Sequence, residues 1–255
     1  MLGKLIKQDF KSVSKLLIPL NAVIIVMTII GIIIRVSGVH ELDNAATFLG
    51  TTITTYVLGI IVIAVITYFY PIIHFYRNLF TRQGYLTFTI PVSTWKILFS
   101  KTLVGYTWYI ASSVIIFFSI WAITGFSTVD PRVMEYWNAN FMNSIGMTLT
   151  SFLIWLVALG LVQTFFSLVM AFFSISVGQL YAKHKIIASV GVYIGIYMVL
   201  QIVVTVISIP FLLTSPSAEA VIALTFYGTA IFSVIASALF YFFSGLILKK
   251  KVNLD

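Results

Sequence analysis

The chain has 255 residues, 60% of them hydrophobic and only 9% charged, with a mean hydropathy of +1.09. Soluble domains carry about 25% charged residues and cannot hide so much apolar surface at this length, which excludes an ordinary cytosolic enzyme, a disordered chain and a coiled coil. The sequence has no cysteine, so disulfides, thiol catalysis and cysteine-ligated metals are excluded too.

In chain order, residues 1–15 predict an amphipathic helix. At 100° per residue Lys4, Lys7, Lys11 and Lys15 fall within an arc of about 80°, and Leu2, Leu5, Ile6, Phe10, Val13, Leu16 and Leu17 occupy roughly the opposite 140°. Such a helix is expected to lie in the membrane interface, apolar face inward, its ammonium groups near anionic headgroups. Pro19 then sits near the bend from in-plane to spanning. Six stretches meet the roughly 20 apolar residues that a core of about 30 Å requires: 16–36, 48–75, 97–124, 144–181, 186–211 and 221–248. The first is too long for a signal-peptide core and no A-x-A site follows it, so it reads as a retained span. The fourth would be about 57 Å long as a helix, so it is either tilted or broken. Continuous apolar runs exclude a β-barrel. The expectation is an all-α integral membrane protein of six transmembrane helices, a single transmembrane domain over 1–255.

The connections sort by charge. One side holds Lys4, Lys7, Lys11, Lys15, Arg77, Arg82, Lys96, Lys101, Lys183, Lys185, Lys249, Lys250 and Lys251, and the other only Arg35 and Arg132. Thirteen against two places both termini in the cytoplasm. Glu41, Asp43, Asp130, Glu135 and Glu219 fall outside, with Asp9 and Asp255 inside, giving +11 and −3 across the membrane. The net charge of +8 is thus a topology signal, and nucleic acid is not an expected partner. The long outer stretch, 125–143, places Tyr136 and Trp137 at the interface.

The six stretches contain no Asp or Glu, which disfavours ion-coupled carriers that rely on intramembrane carboxylates. His74, three residues after Pro71 at the inner end of the second span, reads as an interfacial anchor. There is no HExxH, no paired carboxylates and no G-x-x-x-x-G-K-[ST]. The chain is therefore not expected to be an enzyme, to bind ATP through a P-loop or to hold a metal. Asn21, Gln163, Thr164, Gln201 and the group Thr51, Thr52, Thr54 and Thr55 suit close helix packing. The threonine-rich second span could alternatively line a polar path.

The most informative segment is YRNLFTRQGYLTFTIPVSTWKILFSK, residues 76–101. Gly84 breaks the preceding helix, residues 85–90 form a short apolar patch able to make a helical turn, Pro91 stops it, and Ser93 or Thr94 can cap the third span. An apolar knob of Tyr85, Leu86 and Phe88 bordered by Arg77, Arg82 and Lys96 suits docking to another protein. On Gly84, Leu86, Pro91, Val92, Ser93, Trp95, Ile97 and Lys101, the segment resembles the permease subunits of type-2 ATP-binding-cassette exporters. These carry a Leu-x-x-x-x-Pro-Val-Ser element and a following Lys between spans two and three. The layout resembles that family throughout, starting with its N-terminal elbow helix. Arg82, Gln83 and Tyr85 around Gly84 depart from the acidic residue and threonine common there.

The resemblance implies a coupling helix seated on a separate ATPase subunit that binds ATP and Mg, with this chain holding no cofactor itself. It also implies a second permease chain, identical or related, in a bacterial cell membrane, and export of peptides or small amphipathic compounds. The competing readings are a non-transporting scaffold, sensor or immunity factor, and a channel. A channel is disfavoured by the lack of a recognisable filter or charge ring.

Overall fold

The computed structural model describes residues 2–37, 45–81, 84, 92–124, 130–181, 183–214 and 217–250, with the side chains of 45–49, 210–212, 218, 219, 223 and 250 left aside. Among the described residues the elements are helical: α1 Leu2–Val36, α2 Ala45–Phe80, α3 Thr94–Ile123, α4 Pro131–Ile145, α5 Leu149–Gly178, α6 Lys185–Leu213, the short α7 Ala218–Ala223, a π-helical turn Leu224–Gly228 and α8 Thr229–Lys250. Six of these stretches are long and apolar enough to cross a membrane. The chain divides into two compact units, 1–77 with 96–128 and 78–95 with 129–255.

In the first unit, α1 runs unbroken from Leu2 through Pro19 to Val36. Residues 2–15 of the amphipathic segment and the span 16–36 therefore form one continuous helix. The reason lies in its buried stripe, Leu5, Asp9, Val13, Leu17, Asn21, Ile24 and Thr28, which repeats every three or four residues from end to end and so packs as one seam. Lys4, Lys7, Lys11 and Lys15 remain exposed. The contacts of α1 with α3 keep a constant offset: Asp9 meets Ser100, Asn21 meets Ser112 and Thr28 meets Ser119, each 91 residues apart. A constant difference means parallel helices. Ser12 with His74, and Gly59 against Met27, instead share a constant sum, so α2 runs antiparallel to α1. Val13, Leu17, Val104 and Trp108 fill the core between α1 and α3.

In the second unit, the segment 144–181 is broken. Gly146 takes the left-handed conformation (φ 75°) that ends α4, and Thr148 caps α5 by accepting from Ser151 N. Residues 131–145 before it are themselves helical: Asp130 caps α4 through Arg132 N, with Pro131 at the first position. Asn138 Oδ1 accepts from Leu149 N at 3.1 Å, so α4 supplies a second cap to α5. Gln163 Nε2 donates to Ser233 Oγ at 3.0 Å and Ser176 shares a bond with Ser244 at 3.3 Å; near-constant offsets again make α5 and α8 parallel. A tight turn with His184 at φ 55° reverses the chain into α6. There Gly178 brings α5 so close to Ser189 that an added Cβ would lie 2.6 Å from its backbone.

Candidate functional site

The residues that bear chemistry in the first unit gather at its two ends. At the end carrying the N-terminal lysines, Asp9 is 4% exposed, Lys101 6% and His74 8%. Lys101 Nζ pairs with Asp9 Oδ1, and Ser100 Oγ donates to Asp9 Oδ2 at 2.6 Å. Ser12 Oγ and His74 Nε2 share a hydrogen bond of 2.9 Å alongside. The cluster joins all three helices of the unit. The void between Asp9, Pro71, His74, Lys101 and Gly105 is only about 10 Å³, room for about one water. It is a closed polar core with no space for cargo.

This cluster corrects one expectation: an acid does lie in an apolar candidate span, because the first helix reaches back to Leu2 and takes Asp9 into the packed seam. A buried carboxylate costs several kcal/mol unless paired, and Lys101 with Ser100 supplies the pairing. The signal was present, since Asp9 lies in the middle of the apolar arc. His74 is not a surface anchor but a buried member of the same cluster.

Polar contacts continue along the seam. Asn21 Nδ2 donates to Leu17 O and to Ser112 Oγ, at 2.8 and 3.0 Å. Ser119 Oγ shares bonds with Thr28 Oγ1 and, at 2.5 Å, with Tyr56 OH, tying α2 to both neighbours. Tyr109 OH donates to Tyr68 O at 2.5 Å.

At the opposite end, α1 and α2 enclose a partly open cleft of about 950 Å³. Its floor is the close approach of Met27 to Gly59, and Gly31 with Ile123 of α3 closes the back. Ile30, Ile34 and Ile53 give aliphatic walls; Thr51, Thr52, Thr55 and Tyr56 bring hydroxyl groups; Arg35 stands at the mouth, donating to Ile123 O at 3.2 Å. Thr54 and Thr55 bond back to the carbonyls of Gly50 and Thr51, which satisfies these hydroxyls within the helix. Three of the four threonines thus face a cavity.

Of the proposed coupling residues, Arg77 is exposed on the last turn of α2 and Gly84 is buried, its N–H donating to Thr81 O at 2.7 Å. Arg82, Tyr85, Leu86, Phe88 and Pro91 lie outside the described residues. Downstream, Trp95 packs on Tyr241 and Phe242 with ring centroids 5.9 Å apart, and it crowds Gly245. Lys101, the last residue of the motif, is the buried partner of Asp9. Among the described residues no three His, Asp or Glu side chains gather to hold a metal. Comparison with family models, curated proteins and solved structures finds no match to this chain.

Proposed function

We propose that the chain is the membrane-spanning permease of an ATP-binding-cassette exporter. It forms the translocation path with a second permease chain for peptides or small amphipathic compounds, and a separate ATPase drives it. The reading rests on the connection between α2 and α3. That connection has the Gly84, Leu86, Pro91-Val92-Ser93 and Lys101 pattern, joins two long apolar helices, and lies on the lysine- and arginine-rich side of the membrane.

The placement of Lys101 adds a mechanical reason. A push on residues 85–91 passes along the chain into the start of α3, and the Asp9–Lys101 pair hands it on to α1. A coupling loop needs such a stiff mount, because a load applied to a loosely held helix start would be lost in local fraying. Docking energy on a short apolar knob concentrates in a few large side chains, here Tyr85, Leu86 and Phe88.

The test is purification of the full chain from its native membrane, followed by assay for a bound P-loop ATPase and its turnover. Wild type retains the ATPase. Leu86→Asp with Phe88→Asp loses it, because carboxylates forced into an apolar cleft cost several kcal/mol, while Thr148→Ala leaves association unchanged. Undiminished association in the double variant would remove the loop from the mechanism and leave the scaffold reading ahead.

A further inference from the structure

The cleft between the ends of α1 and α2 is distant from the coupling loop along both helices and takes no part in the reading above. Its volume, about 950 Å³, is at the upper end of the range for small-molecule sites, about 300–1,000 Å³. Eight residues of α1 separate Met27 at the floor from Arg35 at the mouth, a depth of roughly 12 Å at 1.5 Å per residue. One molecule can therefore touch both.

The chemistry is graded along that depth. The floor and walls are aliphatic: Met27, Ile30, Ile34 and Ile53. Hydroxyl groups of Thr52 and Tyr56 follow, and the guanidinium of Arg35 closes the sequence. Among the described residues no carboxylate lines the cleft, whereas an anionic head meets a guanidinium with several N–H donors at Arg35. Arg35 uses one donor on Ile123 O, which fixes the side chain at the mouth. The walls are continuous with exposed apolar surface, since Ile30, Ile33 and Ile53 are each more than half exposed. The route of entry is thus sideways, from hydrocarbon.

We propose that this cleft is a binding site for an anionic glycerophospholipid of the surrounding bilayer, its phosphate at Arg35 and the upper part of one acyl chain along Ile30, Ile34 and Met27. Basic pockets between membrane helices bind lipid headgroups on the cytoplasmic side, and Arg35 with the adjoining isoleucines offers the same pairing of charge and apolar wall at the other end of the unit.

The test is native mass spectrometry of the purified full chain, titrated with phosphatidylglycerol or with phosphatidylcholine of identical acyl chains. The first phosphatidylglycerol should bind at least fivefold more tightly than the first phosphatidylcholine. Arg35→Gln should reduce that ratio below twofold, and Arg35→Lys, which keeps the charge, should retain most of it. Thr52→Phe with Thr55→Phe, which fills the cleft from α2, should weaken both lipids. Equal affinity for the two headgroups in wild type overturns the proposal without reference to any variant. So does a preference that survives Arg35→Gln, or lipid retention unaffected by filling the cleft. A photo-cross-linker at Thr52 that captures a second copy of the chain in place of lipid would assign the cleft to an interface and overturn it as well.

Discussion

Asp9 lies four residues from Leu5 and four from Val13, both buried on the same seam, so its carboxylate enters the packed interior by helical geometry alone. What the sequence could not reveal was the partner. Lys101 is 92 residues away and, in a row of basic residues at a membrane boundary, reads as a topology determinant. Removing one member of a buried ion pair strands the other at a cost of about 3–5 kcal/mol, whereas replacing both with apolar residues is far milder. Asp9→Asn should therefore destabilise the purified protein by roughly that amount, measured by denaturant or thermal unfolding, and Asp9→Leu with Lys101→Met should recover most of the loss. A double variant as unstable as the single one would assign the effect to lost packing rather than to the stranded charge.

Glycine gives a contrast at the scale of helix pairs. An added Cβ at Gly178 meets the Ser189 backbone at 2.6 Å, while one at Gly59 meets only the end of the Met27 side chain. Backbone cannot step aside as a thioether can. Gly178→Ala should cost about 1–3 kcal/mol by forcing α5 from α6. Gly59→Ala should be near neutral, because its helix-propensity gain of up to about 1 kcal/mol offsets a small rearrangement of Met27. Thermal unfolding of the two variants side by side checks the difference. In α4, Met134, Trp137 and Phe141 occupy one side, and Arg132, Glu135 and Asn143 the other. This helix should lie along a membrane interface. Spin labels at Trp137 and Asn143 should differ in lipid accessibility; equal values would place α4 wholly in water. The break at Gly146 was not readable from hydropathy, because residues 144–181 contain no polar run; the glycine's φ of 75° and the Thr148 cap decide it.

For the molecule as a whole, the six apolar stretches were legible, and the helices overrun most of them at one or both ends. Apolar length is a property of one segment and is read from composition. The grouping of three long helices in each unit was not, because a helix that is apolar all round gives no sign of which face meets which neighbour. The serines, threonines and Asn21 that set the pairing were visible only as mild polar residues. Reporter fusions test the orientation that the basic residues predict: one after Asp255 should report cytoplasm and one within 125–143 the opposite side. A cytoplasmic signal from the second would sink the six-crossing topology.

The constant offset of 91 between α1 and α3 restricts how the first unit can move. Sliding α1 by one turn toward the end of α3 would set Asp9 against Val104 and Gly105, Asn21 against Ile116 and Thr28 against Ile123. One turn the other way would bring Lys96 to Asp9 and Trp108 to Asn21, but Ile115 to Thr28. Neither neighbouring register offers these groups a full set of polar partners, and packed helices have no stable halfway position. Sliding α1 past α3 by one turn therefore costs at least one of these polar partnerships. Rearrangement of the first unit is thus easier at hinges outside this pair than by slip within it.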